Sequence, residues 1–218
     1  MNRRRFLASA AIPIGVTTAG CAASTGRTIE LEAETEQQDD GNQNETYLVY
    51  RHDDEEMRVV GFNQGAFPAS LDDQFGVGIF IEYNESTVVD SFRFDLRTPP
   101  TGEPADIYLA SPAGDAWPYL TYGRVDDDGS TRIALADAVD SVDETMFIST
   151  FIDPEAAAVE AIAIDFEMEL TAEGVPGTTY RAETTTTFEP ETRADAQRTE
   201  ETGENNLGQL ATPRKQSR

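Results

Sequence analysis

The chain carries one histidine and one cysteine, and these two side chains limit the chemistry that it could perform. A serine or cysteine triad would need His52 as its general base. Four acidic residues follow His52 in an apparent hairpin loop, where a solvated histidine is the commoner outcome. The sequence also lacks a phosphate-cradling glycine loop, a Gly-x-Ser-x-Gly elbow and a His-Glu-x-x-His helix. It therefore predicts no catalytic triad, no nucleotide site and no cofactor.

The 41 acidic side chains supply the remaining chemistry. Two carboxylates about 5–9 Å apart can hydrolyse a glycosidic bond, so an extracellular polysaccharide hydrolase stays open as the alternative function. Asp126, Asp128 and Ser130 have the alternate spacing that opens a calcium loop. The pattern then fails, because Thr131 stands where glycine is required and Asp137 where glutamate is required. A plain hairpin turn is favoured, which leaves Asp126 and Asp128 as weak metal candidates.

The first twenty residues have the features of a targeting segment. Three arginines precede an apolar stretch and a small-residue exit. The stretch is too short, and too rich in Ala, Gly and Thr, for a membrane-spanning helix. Its start resembles the twin-arginine export signal, in which two adjacent arginines, a free position, Phe and Leu follow one another, here as Arg3, Arg4, Phe6 and Leu7. The resemblance implies export of an already folded protein.

Cys21 directly follows this segment, after the small residues Thr18, Ala19 and Gly20. A lone cysteine is most often a buried free thiol. The position just past an export leader outweighs that interpretation, because a free thiol outside the cell normally needs a reason. The run resembles a lipobox, which implies that Cys21 becomes the N-terminus and carries a lipid thioether. Since one acyl chain binds a membrane with only about 10⁴ M⁻¹, stable attachment needs a two-chain lipid or a second contact.

The charge balance indicates the solvent in which the protein folds. Acidic residues outnumber basic ones by 41 to 16, for a formal net charge of −25, and Lys215 is the only lysine. Such a surface repels itself unless molar salt shortens the screening length to roughly 3 Å. The composition therefore resembles that of haloarchaeal proteins. It excludes a nucleic-acid partner, since phosphates need clustered cations. Without residues 1–20 the chain keeps 13 basic and 41 acidic residues, or −28, so the lipid must provide the membrane contact.

Apolar and polar residues alternate with a period of two between Thr46 and Phe188, and no segment sustains a helical face. The pattern predicts an all-β fold, an antiparallel β-sandwich of the immunoglobulin-like or a related type. Residues 146–152 are apolar on both faces, which indicates a central strand. Ten strands are expected, at residues 46–51, 57–62, 75–83, 88–97, 106–110, 119–125, 131–135, 145–152, 159–170 and 179–188.

The segments on either side of this body are polar. Residues 21–45 are predicted to be a lipid-anchored tether, with a candidate first strand at 28–33 where the pattern alternates. Residues 46–188 form the predicted sandwich. Residues 189–218 lack apolar periodicity and cannot offset an ordering entropy of ~1–2 kcal/mol per residue, so a disordered tail is predicted there.

Two further features concern the surface. Asn44 and Asn84 each begin an Asn-x-Ser/Thr motif, which makes them candidate N-glycosylation sites in an exported chain. Trp117, Tyr119 and Tyr122 form the densest aromatic group, which could stack on a sugar or dock a partner if it is exposed. A tryptophan buried in the sandwich core is the favoured interpretation.

Together these residues predict a lipoprotein of the haloarchaeal cell surface, exported by the twin-arginine route and attached to membrane lipid through Cys21. Its acidic sandwich is expected to bind or scaffold a protein or glycan partner without catalysis, although sandwich folds host many functions. The alternative remains the carboxylate hydrolase, which would need a cleft holding two buried acids with raised pKa values.

Overall fold

In a computed structural model, the chain forms a sandwich of two β-sheets. The structure describes residues 26–39, 44–82, 84–98, 104–110, 120–125, 129–135, 145–155, 157–172 and 177–198. These residues contain all ten predicted strands and one more, so the all-β sandwich prediction is confirmed. The strands are β1 (Arg27–Asp39), β2 (Asn44–His52), β3 (Glu55–Gln64), β4 (Phe75–Ile81), β5 (Thr87–Arg97), β6 (Asp106–Leu109), β7 (Leu120–Arg124), β8 (Thr131–Leu135), β9 (Met146–Asp153), β10 (Ile162–Ala172) and β11 (Thr178–Phe188).

Neighbouring strands are hydrogen-bonded in the order β6-β9-β4-β3-β2-β1-β11-β10-β5-β8-β7. β1 lies in the middle of this order and divides it into two layers. We call β1, β11, β10, β5, β8 and β7 sheet A, and β1, β2, β3, β4, β9 and β6 sheet B. The described strand pairs are antiparallel except for β1 and β11, which run parallel.

β1 belongs to both sheets because it passes from one layer to the other along its length. Residues 27–31 pair with β11 in sheet A, and residues 32–39 pair with β2 in sheet B. The candidate strand at 28–33 is therefore present and longer than expected. The prediction of a tether over residues 21–45 is wrong for residues 34–39 and 44–45, because backbone hydrogen bonds to neighbouring strands order a mostly polar segment.

The core lies between the two sheets and is built from side chains at alternate strand positions. Phe94 of sheet A stacks on Phe166 with 4.5 Å between ring centroids, and meets Phe62 of sheet B edge-on at 6.1 Å. Tyr50 of β2 reaches across the core and donates a hydrogen bond to Thr184 of β11 at 3.0 Å. Side chains that interlock between facing sheets hold the two layers together.

The last strands of the two sheets, β6 and β7, meet on the side away from β1. The Tyr122 hydroxyl of β7 donates to the Ile107 carbonyl of β6. Arg124 of β7 forms an ion pair with Asp106 of β6 at 3.1 Å. These contacts protect strand edges that could otherwise pair with another chain. The two sheets are thus joined on both sides.

After β11 the chain crosses the end of sheet B and continues into a short helix, α1 (193–198). The Gln64 side chain exchanges two hydrogen bonds with the Glu191 backbone, donating at 3.0 Å and accepting at 2.8 Å. Asn44, at the start of β2, donates to the Glu189 carbonyl at 2.6 Å. Side chains of sheet B therefore satisfy backbone groups that this segment does not pair internally.

This ordered segment departs from the sequence prediction. A disordered tail over residues 189–218 is wrong for residues 189–198, in which Ala196 is buried and the backbone is bound by sheet B. Periodicity could not reveal this, since the bonding side chains lie 145 and 127 positions earlier in the chain. Residues 199–218 lie outside the described residues.

Candidate functional site

The outer face of sheet B carries a group of aromatic side chains that are open to solvent. Phe147 and Phe151 on β9 and Tyr108 on β6 are 40–45% exposed. Phe80 on β4 and Tyr47 on β2 extend the group across the sheet and are partly buried. Large apolar side chains clustered on one exposed face mark contact sites in soluble proteins. We call these five residues the aromatic face.

Strand register arranges the aromatic face in two rows. The first row consists of Tyr47, Gly61, Phe80 and Phe147, and the second of Gly76, Phe151 and Tyr108. In the first row, the Tyr47 and Phe80 rings meet edge-on at 5.7 Å. The two rows are four residues apart along β9, or about 13 Å at ~3.3 Å per residue.

Glycines beside the rings make the face flat. A Cβ at Gly61 would fall inside the Phe80 ring, and a Cβ at Gly78 would lie 2.6 Å from the Phe147 ring. Both rings therefore lie across the neighbouring backbone instead of standing out from the sheet. Shielding a strand glycine is a structural use for such rings. That use accounts for the partly buried Phe80, but it leaves Phe147 40% exposed.

The two tyrosines of the aromatic face donate their hydroxyl protons to nearby carboxylates. Tyr47 donates to Glu45, and Tyr108 donates to Asp106 at 3.0 Å. The hydrogen bond to Asp106 raises the pKa of Tyr108, and the charges of Asp106, Asp153 and Glu155 raise it further. The end of the face at Tyr108 therefore lies in a negative potential.

The outer face of sheet A has a different character, because its charged side chains pair with one another. Asp95 accepts two hydrogen bonds from Arg132, at 2.7 and 2.9 Å, and lies 3.2 Å from Arg93. Arg93 also pairs with Glu167 at 2.6 Å. These pairs link β5, β8 and β10. We call Arg93, Asp95, Arg132 and Glu167 the ion-pair network.

A groove of about 290 Å³ lies on this face of sheet A, and it is the described feature that comes nearest to a hydrolase cleft. It holds Glu167 and Glu169, but Glu167 is paired with Arg93 and Glu169 is exposed. Neither is the buried acid that carboxylate hydrolysis would require. In the described part of the chain, no three His, Cys, Asp or Glu side chains are placed to hold a metal ion. Lining residues of the groove include Ser91, Arg93, Ala134, Glu167, Glu169 and Arg181.

Several predicted site residues are not among those that the structure describes. Gly129, two residues before β8, has a positive φ of 69°. No helix within the described ranges is long and apolar enough to cross a membrane. The residues outside the description are the export signal Arg3, Arg4, Phe6 and Leu7, the lipid attachment residue Cys21, the metal candidates Asp126 and Asp128, and the aromatic residues Trp117 and Tyr119.

Both candidate glycosylation sites are described, and both amides are already engaged. Asn44 is partly buried and binds the Glu189 carbonyl, as noted above. Asn84 lies in the turn before β5, donates to the Glu56 carbonyl at 3.0 Å and accepts from the Ser86 amide at 2.8 Å. A glycan at either asparagine would replace one amide hydrogen, so the bond that remains depends on which hydrogen is lost.

The remaining two predicted residues are His52, at the end of β2, and Tyr122, whose hydroxyl contacts the strand that carries Tyr108. His52 ends β2, where its ring meets that of Tyr180 at 5.5 Å and its Nε2 lies 3.5 Å from Asp53. Tyr122 is 45% exposed on β7, where its hydroxyl is bound to Ile107. The structure therefore does not bring His52 and Tyr122 together into one site.

The sequence analysis did not predict the aromatic face, although two signals of it are visible in the sequence. Residues 146–152 are apolar on both faces, which predicts a central strand, and β9 does pair on both edges, with β4 and β6. Pairing at the edges does not cover the faces of a strand. The outer side chains Phe147 and Phe151 are left exposed. Alternate glycines at 76 and 78 on the adjacent strand were the second signal.

Fold and surface together define a two-layer β-sandwich with one ion-paired outer face and one aromatic outer face. The sequence matches the family model described as Domain of unknown function (DUF8121) over residues 27–192, so the protein belongs to that family. The match begins at β1 and ends just past β11, which agrees with the described limits of the sandwich. No curated protein matches the sequence.

Solved structures resemble the chain only distantly. The seventh ScaB type I cohesin of Pseudobacteroides cellulosolvens is 15% identical, with a TM-score of 0.32, over 55% of this chain and 88% of that one. The cohesin module of a family 33 glycoside hydrolase from Clostridium perfringens is 11% identical, with a TM-score of 0.31, over 74% and 97%. These scores are too low to define a common fold. The fold of this chain therefore rests on its own strands and register.

Proposed function

We propose that the protein is a non-catalytic binding module that is displayed outside the cell on a lipid anchor and docks a partner protein through its aromatic face. The observation that carries the binding role is the exposure of Phe147 and Phe151 on a flat sheet face. Leaving two phenylalanines 40–45% exposed forgoes part of the free energy that full burial would provide. A partner that covers them recovers that free energy on binding.

The display outside the cell rests on the leader and on Cys21. In this proposal the leader is removed on the twin-arginine route and the mature chain begins at the lipid-bearing Cys21. Six residue steps separate Cys21 from Arg27, where β1 begins, so the chain between them spans at most about 20 Å. This connecting segment is much shorter than the predicted tether over residues 21–45. The sandwich would therefore stand close to the membrane surface.

The acidic composition supports folding in concentrated salt as part of the same proposal. A net charge of −25 on 218 residues favours a solvent in which charge repulsion is screened. We expect the midpoint of thermal unfolding to fall as KCl is lowered from about 3 M to about 0.2 M, a range over which screening weakens strongly. A midpoint that is independent of KCl would remove the halophilic part of the proposal.

The docking role is tested by site-specific photocrosslinking on intact cells. A photoreactive phenylalanine analogue replaces Phe147 in one strain and Val88 in another, since Val88 is a similarly exposed apolar residue, 37% exposed, on sheet A. We expect a discrete crosslinked adduct from position 147 and none from position 88. Equal adducts from both positions, or none from 147, would contradict docking through the aromatic face.

The anchor is tested separately. Replacing Cys21 with serine removes the thiol to which the lipid would attach, so the protein is expected in the medium rather than in the membrane fraction. The matched control is Ser24→Ala, a substitution in the same short segment that leaves the thiol in place. If the Cys21→Ser protein stays with washed membranes, the lipid assignment is wrong.

A further inference from the structure

The aromatic face is bordered by carboxylates on the sides that the structure describes. Glu36 on β1 lies directly opposite Tyr47, at the β1 side of the first row. Asp153 on β9 follows Phe151 by two residues on the same face, and lies opposite Asp106 of β6. Glu82 follows Phe80 by two residues beyond the end of β4. We call Glu36, Glu82, Asp106 and Asp153 the acidic rim.

The acidic rim is only partly neutralised by the protein itself. Arg124 pairs with Asp106 at 3.1 Å. Among the residues that the structure describes, Glu36 and Asp153 take part in no ion pair. The ion-pair network on sheet A shows the contrast, since Asp95 there contacts two arginines. Carboxylates without a cation at the edge of an apolar patch can accept hydrogen bonds from a charged partner.

The hydrogen-bonding capacity of the acidic rim is also one-sided. An ionised carboxylate is an acceptor only, and the two tyrosine hydroxyls, which could donate, already donate to Glu45 and Asp106. Charges separated by more than the screening length contribute little in concentrated salt, so direct contacts decide what binds. A partner that matches the rim must therefore bring donors, and preferably charged ones.

A second copy of this chain does not meet that requirement. It would bring the same acidic rim and another net charge of −25 to the contact. The two rows of rings extend over β2, β3, β4, β9 and β6 and cover on the order of 300 Å², from five strands at ~4.8 Å and a row separation of ~13 Å. A stable dimer buries roughly 800 Å² on each partner. The aromatic face therefore fits a small segment of a different protein better than a copy of itself.

We infer that the partner presents a short protein segment in which apolar side chains are flanked by lysine or arginine, the apolar part covering Phe147 and Phe151 and the cations contacting Glu36 and Asp153. This inference rests on the proposed docking function and adds the chemistry of the partner. It commits to a protein segment; a neutral glycan stacked on the rings is the competing occupant that the experiment must separate.

The test is a subtractive selection from a random peptide library of about twelve residues, a length that suits a single helix or strand lying on the face. The bait is the mature full-length chain in concentrated KCl. Peptides that also bind the Phe147→Ser/Phe151→Ser double variant are discarded. Because that variant has the same net charge, the subtraction removes cations that adhere anywhere on the acidic protein.

The peptides that survive are expected to be enriched in lysine and arginine around an apolar centre. For such a peptide, the Glu36→Gln/Asp153→Asn variant should weaken binding by about threefold to tenfold, since each lost contact at the rim contributes up to ~1 kcal/mol. The control Glu169→Gln/Glu183→Gln removes the same charge from the outer face of sheet A and should change binding by less than about twofold.

Three outcomes would overturn the inference. Survivors that are neutral or acidic, or a control variant that weakens binding as much as the rim variant, would show that the acidic rim does not select cations. Failure of the selection together with binding of chitin or cellulose oligosaccharides that depends on Phe147 would assign the face to a glycan. With the first two outcomes the protein crosslink from position 147 persists, so docking stands and only the chemistry of the partner is wrong. With the glycan outcome that crosslink is lost, and docking of a protein is wrong as well.

Discussion

The two outer faces of the sandwich are exposed to the same solvent but carry opposite kinds of side chain. On sheet A, polar side chains face the solvent and bind one another, so Asp95 is 8% exposed although it lies on an outer face. On sheet B, Phe147 and Phe151 face the solvent and lie against the backbone of the glycines beside them. Ion pairs that cross strands contribute to stability, whereas exposed rings contribute little until something covers them. Under the proposed function, sheet A stabilises the fold and sheet B makes the contacts.

The sharpest way to break this comparison is to remove the centre of the ion-pair network. Asp95→Ala leaves Arg93 and Arg132 close together without their common carboxylate. We expect the free energy of unfolding to fall by about 2–4 kcal/mol, because the substitution removes a largely desolvated carboxylate that binds both arginines. Denaturant unfolding in concentrated KCl measures the change.

Two results bear on that expectation. The matched control, Glu183→Ala, removes an exposed carboxylate from the same face and should cost less than about 0.5 kcal/mol. Photocrosslinking from position 147 should be unchanged in the Asp95→Ala protein wherever it is folded. A loss below 1 kcal/mol for Asp95→Ala would show that the ion-pair network contributes little to the stability of the fold.

The second prediction concerns the burial of Tyr50, whose hydroxyl joins the two sheets through the core. Burial raises the pKa of Tyr50 to about 12, while its hydrogen bond to Thr184 acts in the opposite direction. The unfolded chain releases this proton near pH 10, so the stabilisation is complete below pH 10 and is lost as the pH rises through 12. The loss amounts to about 2–3 kcal/mol for a shift of two pKa units.

Measurement of the unfolding free energy between pH 9 and about 12 tests this expectation. The Tyr50→Phe protein should lose a smaller part of its stability over that range, because one buried titrating group has been removed. Tyr180→Phe is the control, since Tyr180 is a partly exposed tyrosine of β11. If Tyr50→Phe and the unmodified protein decline in parallel, Tyr50 does not cause the alkaline loss.

The third prediction separates stability from contact on sheet B. Phe147→Ser/Phe151→Ser should change the free energy of unfolding by less than about 1 kcal/mol for each ring, since both rings are already substantially exposed. Retention on a phenyl-substituted column in concentrated salt should nevertheless fall. Val88→Ser, on sheet A, is the control and should leave retention nearly unchanged. A large loss of stability would mean that the rings serve mainly to shield Gly76 and Gly78.

The smallest expected effect lies in the hairpins of the two sheets. The turn between β10 and β11 has a glycine at positive φ, Gly177 at 82°, whereas the turn between β2 and β3 places Asp53 and Asp54 at 51° and 66°. Left-handed backbone costs a residue with a Cβ more than it costs glycine. Asp54→Gly should therefore raise the unfolding free energy by about 0.5–1 kcal/mol, and Gly177→Ala should lower it by a similar amount. A destabilised Asp54→Gly protein would point to a role for that carboxylate.

The strands were predictable because their signal is local. In β10, the apolar residues 162, 164, 166, 168 and 170 alternate with charged or small ones, and the structure buries them as expected. The ordering of residues 27–39 and 189–198 was not predictable in this way. Their polar side chains give no apolar pattern, and the hydrogen bonds that hold them come from distant strands.

The candidate site shows the same limit from another direction. Sequence indicated that β9 has two apolar faces, but it could not indicate which neighbour would cover the second one. Burial of a strand face is decided by what packs against it, and a hydrophobic pattern is the same whether the cover belongs to this chain or to a partner. The sequence prediction therefore turned to Trp117 and its neighbours, which lie close together in the chain, whereas the rings of the aromatic face come from four separate strands.

The path of β1 through both layers also determines how the molecule would respond to pulling. A force applied at Arg27, at the end of the strand that leads toward Cys21, acts along the direction of β1 and is resisted by its hydrogen bonds with β11 and β2. Those hydrogen bonds are perpendicular to the pulling direction, so they must break together and not one after another. β1 would thus resist a pulling force that acts between the proposed lipid anchor and a contact on the opposite side of the domain.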